Sequence, residues 1–92
     1  MLSDYPFVRT RSPLGGEPIG YRGCIKAIES RAENSALSPE ELERRLIELG
    51  FIEGAAVEIL HEGIIGGDPI AVRVDNATVA LRRREAMAIL VD

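Results

Sequence analysis

"RRLIELGFIEGAAVEIL", residues 44–60, starts with the spacing of a helix and ends with that of a strand. Leu42, Leu46 and Leu49 recur three and four apart, as on one helical face. Val57 and Ile59 instead alternate with Glu58 and Leu60. The change happens between Gly50 and Gly54. Gly50 sits where a left-handed residue ends a helix, and Phe51 falls where a Schellman motif places its hydrophobic contact, back onto Leu46. The sequence delivers a short helix abruptly into a sheet.

Upstream, the helix announces its own start. Ser38 is an N-cap residue type and Pro39 suits the first helical position. Glu41, three residues after the cap, completes a capping box, and Leu37 with Leu42 has the spacing of a hydrophobic staple. Glu40 with Arg44, and Glu41 with Arg45, are i,i+4 pairs in the favourable order. Before the helix, "GYRGCIKAIES" reads as the first strand. Ile25 and Ile28 are three apart, so a bulge near Lys26 is needed to turn both inward. "RAENSA" reads as a loop.

After Gly54 the period is two. Gly63, Gly66 and Gly67 form a loop, and Pro69 can stand only at the beginning of the next strand. "IAVRVD" alternates, with Ile70, Val72 and Val74 inward, and Asp75-Asn76 suits a type I′ turn into "ATVAL". "RRREA" is long enough for one helical turn, and "MAILV" is the last strand. The expected fold is mainly β: about five strands, one α-helix between the first and second, and a curled sheet or small barrel that hides its edges. Residues 1–19, with Pro6, Pro13, Pro18, Gly15 and Gly16, show neither period and read as an N-terminal tail, leaving 20–92 as the domain.

Ninety-two residues make one domain with a small core, and 46% hydrophobic residues with only four aromatics mean that aliphatic side chains fill it. A net charge of −4 without stacking aromatics argues against nucleic acid. One cysteine, Cys24, cannot form an internal disulfide, which suits a reducing compartment. No apolar run reaches the ~20 residues of a membrane span, and Asp4 and Pro6 interrupt any signal peptide, so a cytoplasmic protein without direct membrane insertion is expected.

Several stretches invite a sharper reading. "GIIGGDP" lacks the Lys-Ser/Thr of a phosphate-binding loop and leads into a strand, so it reads as a structural loop. Ile64 and Ile65 at its tip are costly to leave in water and are candidate partner contacts. Arg83 and Arg84 belong to the densest positive patch. They read either as solvated side chains or as a second docking element that steers an acidic surface. Cys24, His61 and Glu62 are the only hints of metal ligation, too few for a closed site of about four ligands in one chain. No Ser/His/Asp set or carboxylate pair suggests an enzyme. An exposed strand edge or a swapped tail would allow a homo-oligomer.

Three separated blocks then match one family. Leu49-Gly50-Phe51 with Gly54, Gly67-Asp68-Pro69, and Ala80-Leu81-Arg82 with Glu85-Ala86 resemble the FeoA family of ferrous-iron transport accessory proteins. The resemblance runs from about Gly20 to Val91. It departs at Ile64, where a proline is common, and at Asp75-Asn76, where a glycine is usual. It implies an SH3-like β-barrel in the cytoplasm. The implied partner is FeoB, a membrane ferrous-iron transporter with a cytoplasmic GTP-binding domain. No cofactor is expected to be required, and at most a weakly held divalent metal, iron or zinc. The family is also similar to the C-terminal domain of iron-dependent repressors, so the alternative is a metal-binding SH3-like sensor module.

Overall fold

A computed structural model describes residues 11–92. Leu2, Tyr5, Phe7 and Val8 of the expected tail lie outside the described residues. The elements run β1 (Ser12–Pro13), β2 (Arg22–Ile28), α1 (Pro39–Glu48), β3 (Ala56–Glu62), β4 (Ile70–Val74), β5 (Ala77–Leu81), α2 (Arg83–Ala86) and β6 (Ile89–Val91). Single 3-10 turns cover Leu14–Gly16 and Ala32–Asn34. All strand pairs are antiparallel, in the order β1-β6-β2-β3-β4-β5. The helix expected between the first two strands lies between β2 and β3, because β1 precedes them.

Helix α1 forms as its signals require. The Ser38 hydroxyl accepts the Glu41 N–H at 3.2 Å and donates to Glu41 Oε1 at 3.4 Å. Leu42 and Leu46 are fully buried, with Leu49 packed against the same cluster. The Glu40–Arg44 and Glu41–Arg45 pairs are not among the ion pairs of the described residues. At the other end Gly50 has φ +106°. The Gly50 N–H bonds to the Ile47 carbonyl at 3.0 Å and the Phe51 N–H to the Leu46 carbonyl at 2.9 Å, the two bonds of a Schellman motif. Phe51 is fully buried with Leu46 in one cluster.

Around that plug the sheet curls. Val57 and Ile59 of β3, Ile70, Val72 and Val74 of β4, and Ile89 and Val91 of β6 are all buried. Each such side chain contributes roughly 1.5–3 kcal/mol by leaving water. The bulge expected near Lys26 is present: Ile25 pairs with Val91 and Ala27 with Leu90, so Lys26 is the extra residue. Ile25 is buried and Ile28 packs against the core.

Three features depart from the sequence reading. There are six strands, not five, because Ser12 and Pro13 pair with Val91 and Leu90, and Leu14 is completely buried. The fold therefore begins inside the stretch read as a tail. The pattern was hidden because β1 is only two residues long and includes a proline, tolerated at an edge. The ladder also does not close on itself, since β1 and β5 remain as ends. At the β4–β5 turn only Asp75 has a positive φ, 53°, so the pair does not adopt the type I′ form, which needs it at both positions.

The C-terminal strand is tied to β2. The Tyr21 hydroxyl donates to the Asp92 carbonyl, and Lys26 lies 3.3 Å from the Asp92 carboxylate. Burial raises the Tyr21 phenol above its ordinary value of 10.0, reinforced by the charges of Glu17, Asp92 and Cys24. The folded chain thus holds this proton more tightly than the unfolded one. Its contribution is complete below pH 10 and is lost as pH rises through the raised value.

Denaturant unfolding tests both attachments. Gly50→Ala should lose about 1–2 kcal/mol with the slope unchanged, because a left-handed residue then carries a side chain. Phe51→Ala should lose about 3–5 kcal/mol. Tyr21→Phe should lose about 1 kcal/mol near neutral pH, and its difference from wild type should shrink as pH rises above 10, Tyr21's ordinary value.

Candidate functional site

The loop of residues 63–69 joins β3 to β4 and carries the most exposed apolar side chains of the described residues: Ile64 is 100% and Ile65 89% accessible. Its base, in contrast, is held firmly. The Gly63 N–H bonds to the Pro69 carbonyl at 2.8 Å, and Gly66 and Gly67 turn the chain with φ of 69° and 71°. Asp68 Oδ1 accepts the Arg83 N–H at 2.8 Å, so a loop carboxylate caps the first turn of α2. Within α2, Glu85 Oε1 accepts the Arg82 N–H at 2.9 Å. The Gly-Asp-Pro block and the Ala-Leu-Arg…Glu-Ala block are far apart in sequence and meet here.

Arg83 joins them. Its Nε donates to the Gly67 carbonyl at 2.8 Å. One terminal nitrogen donates to the Gly15 and Glu17 carbonyls at 3.1 and 2.7 Å, and the other to Glu62 Oε1 at 2.6 Å. A planar guanidinium with five fixed donors can address four acceptors in this way; a lysine cannot. The chain before β2 approaches so closely that a Cβ on Gly15 would collide with the Arg83 carbonyl. The sequence left Arg83 as a solvated or docking residue. The structure instead commits its side chain to the interior of the loop base, three-quarters covered.

A second bulge explains how Glu62 reaches this arginine. The β3–β4 register shifts between Ile59 and His61, leaving Leu60 as the extra residue. His61 then faces Ala71 on the outer side, and Glu62 pairs with Ile70. Without the bulge the alternation would reverse for both side chains. Arg84 points elsewhere: its Nε donates to the Glu33 carbonyl at 2.9 Å, and buried Asn34 donates to the Arg84 carbonyl at 3.2 Å.

The metal candidates are not brought together. Cys24 is exposed opposite Ala56. Continuing that register places His61 five residues away, about 16 Å along the strands. Glu62 is already paired with Arg83. Among the described residues no three His, Cys, Asp or Glu side chains form a cluster able to hold an ion. No helix among them is long and apolar enough to cross a membrane. Sequence reasoning missed Arg83 as an internal tie, with Gly15 and Glu62 as its partners. The adjacent glycines after Leu14 were the one available signal of a close approach.

A small, curled, unclosed six-stranded antiparallel sheet, plugged by one helix and with a single helical turn before its last strand, has an SH3-like fold. Solved structures share it. FeoA of Stenotrophomonas maltophilia, determined with zinc and described as a prokaryotic SH3 domain protein, is 31% identical over 91% of each chain, with a TM-score of 0.70. A FeoA-like protein of Clostridium acetobutylicum is 24% identical over 92% of this chain and 88% of its own, with a TM-score of 0.75. A manganese-dependent transcriptional repressor shares the fold at 24% identity, a TM-score of 0.70 and 95% of this chain, which spans only 44% of the repressor. Comparison with curated proteins found no match. The FeoA domain model matches residues 13–92, and the chain belongs to the FeoA family. That match begins at Pro13, inside β1.

Exchanging the guanidinium tests its role. Arg83→Ala should cost about 2–3 kcal/mol. Arg83→Lys should restore less than half of that, because only the ion pair with Glu62 returns. Amide exchange in residues 63–68 should accelerate in both variants, while that of β4 stays protected.

Proposed function

We propose that this chain is a non-enzymatic accessory protein of ferrous iron transport that docks on the cytoplasmic part of the membrane transporter FeoB. Membership of the FeoA family supports the transport role. So does the description of the Stenotrophomonas maltophilia relative as a candidate ferrous iron transport activating factor. The protein would work in the cytoplasm, held at the inner face of the membrane by its partner. It needs no cofactor for this role.

The observation that carries the docking surface is the contrast within one loop. Ile64 and Ile65 stand in water at the tip while Arg83 and Asp68 fix the base. An apolar pair on a prearranged loop loses little conformational freedom on binding, so more of its burial energy appears as affinity. Arg84, exposed within α2, is the remaining candidate for contact with an acidic surface. Arg83 contributes indirectly, through the loop it holds.

The metal-responsive reading has weaker support. Zinc accompanies the Stenotrophomonas maltophilia relative, but here Cys24 and His61 are far apart and Glu62 is ion-paired. A weak site shared between molecules is the form such binding would take.

Pull-down of the transporter's cytoplasmic domain separates the outcomes. The native chain should be retained, and Ile64→Glu/Ile65→Glu should bind at least tenfold more weakly, a loss of about 1.4 kcal/mol or more. Equal retention of both would remove the loop from the contact. Retention of neither would count against direct docking.

A further inference from the structure

The two ends of the sheet are built differently. β1 is two residues long and includes Pro13, which has no N–H to offer a neighbour, so that edge is blunted. β5 has five residues with no proline and no charge. Its register with β4 runs unbroken from Ile70 opposite Leu81 to Val74 opposite Ala77. Natural sheets seldom leave such an edge bare.

The register also tells which groups are free. With a two-residue turn, Val74 and Ala77 are the closing hydrogen-bonded pair, and bonded pairs then alternate. Ala77, Val79 and Leu81 therefore address β4, while Thr78 and Ala80 turn their N–H and C=O groups away from it. Among the described residues, no strand and no other backbone group pairs with that side.

We propose that the β5 edge binds the β5 edge of a second copy of this chain, antiparallel about a two-fold axis at Val79. Thr78 then faces the partner's Ala80, and Ala80 the partner's Thr78. Each of these pairs exchanges two bonds, giving four in all. Three observations select a second copy over another partner. The free donors and acceptors repeat identically in both directions about Val79, which an isologous interface requires. Thr78 and Ala80 are exposed, small and uncharged, so two copies meet without collision or repulsion across the seam. Extending the register by one residue sets Arg82 against the partner's Asn76, beside the partner's Asp75. Arg82 and Asp75 are exposed, so opposite charges meet at both ends of the seam. Pairing of two five-residue strands buries little area, and the dimer is a weak, concentration-dependent one.

Sedimentation equilibrium and amide exchange by NMR, over a hundred-fold concentration range reaching millimolar, test this. The apparent mass should rise from one chain toward two. Protection of the Thr78 and Ala80 amides should rise with it, while that of Val79, already bonded to β4, should not. Ala80→Pro removes only an outward N–H and should weaken association at least tenfold with monomer unfolding little changed. Asp75→Asn, which keeps a residue tolerant of positive φ, should weaken it several-fold. The Ile64→Glu/Ile65→Glu variant should associate as the native chain does, so failure of the docking surface and failure of this edge are read separately. The proposal is overturned by a mass of one chain throughout. It is equally overturned by undiminished association of both the Ala80→Pro and Asp75→Asn variants. Protection of Thr78 and Ala80 independent of concentration would also end it, because another part of the same chain would then cover the edge.

Discussion

Helix α1 and the sheet share one core only because the chain reverses within two residues at the end of the helix. Gly50 takes a conformation closed to residues with a Cβ at ordinary cost, and its neighbour Phe51 is thereby aimed back at Leu46. The largest side chain in the core is placed by that turn rather than by the strands. Ile25, Val57, Ile59 and Val72 then pack with it in a single cluster. A chain with so few aromatics has little to substitute for this contact.

What could be read from the sequence divides by the range of the interaction. The cap at Ser38, the turn at Gly50, the bulge at Lys26 and the alternation through β4 each depend on residues within one turn or one strand, and each was legible. Strand β1 was not, because its pairing spans Ser12 to Val91 and leaves only two residues of pattern. The Leu60 bulge was equally hidden, since alternation on either side of it looks normal until the partner strand fixes the register. The site fared similarly. Exposure of Ile64 and Ile65 followed from their setting among glycines, but Arg83 looked like one of three surface arginines. Only the folded chain brings Gly15, Glu17, Glu62 and Gly67 around it.

Two bulges serve different ends in this fold. The one at Lys26 keeps Ile25 and Ile28 on the core side while β2 changes neighbours from β3 to β6. The one at Leu60 swings Glu62 to the loop base and leaves His61 outside. Both make the strand serve two sides of a small curved sheet without adding length. The family's Gly-Asp-Pro and Ala-Leu-Arg blocks belong to the same economy: they fasten the loop and the last helical turn to each other.

The tip residues of the β3–β4 loop have no duty inside the molecule. Arg83, Asp68 and the glycines hold the frame, and Ile64 and Ile65 touch nothing that the barrel needs. Mutation there is consequently uncoupled from folding, so the two positions can be rewritten while the scaffold stays as it is. On the docking proposed above, surface recognition would be an interchangeable part.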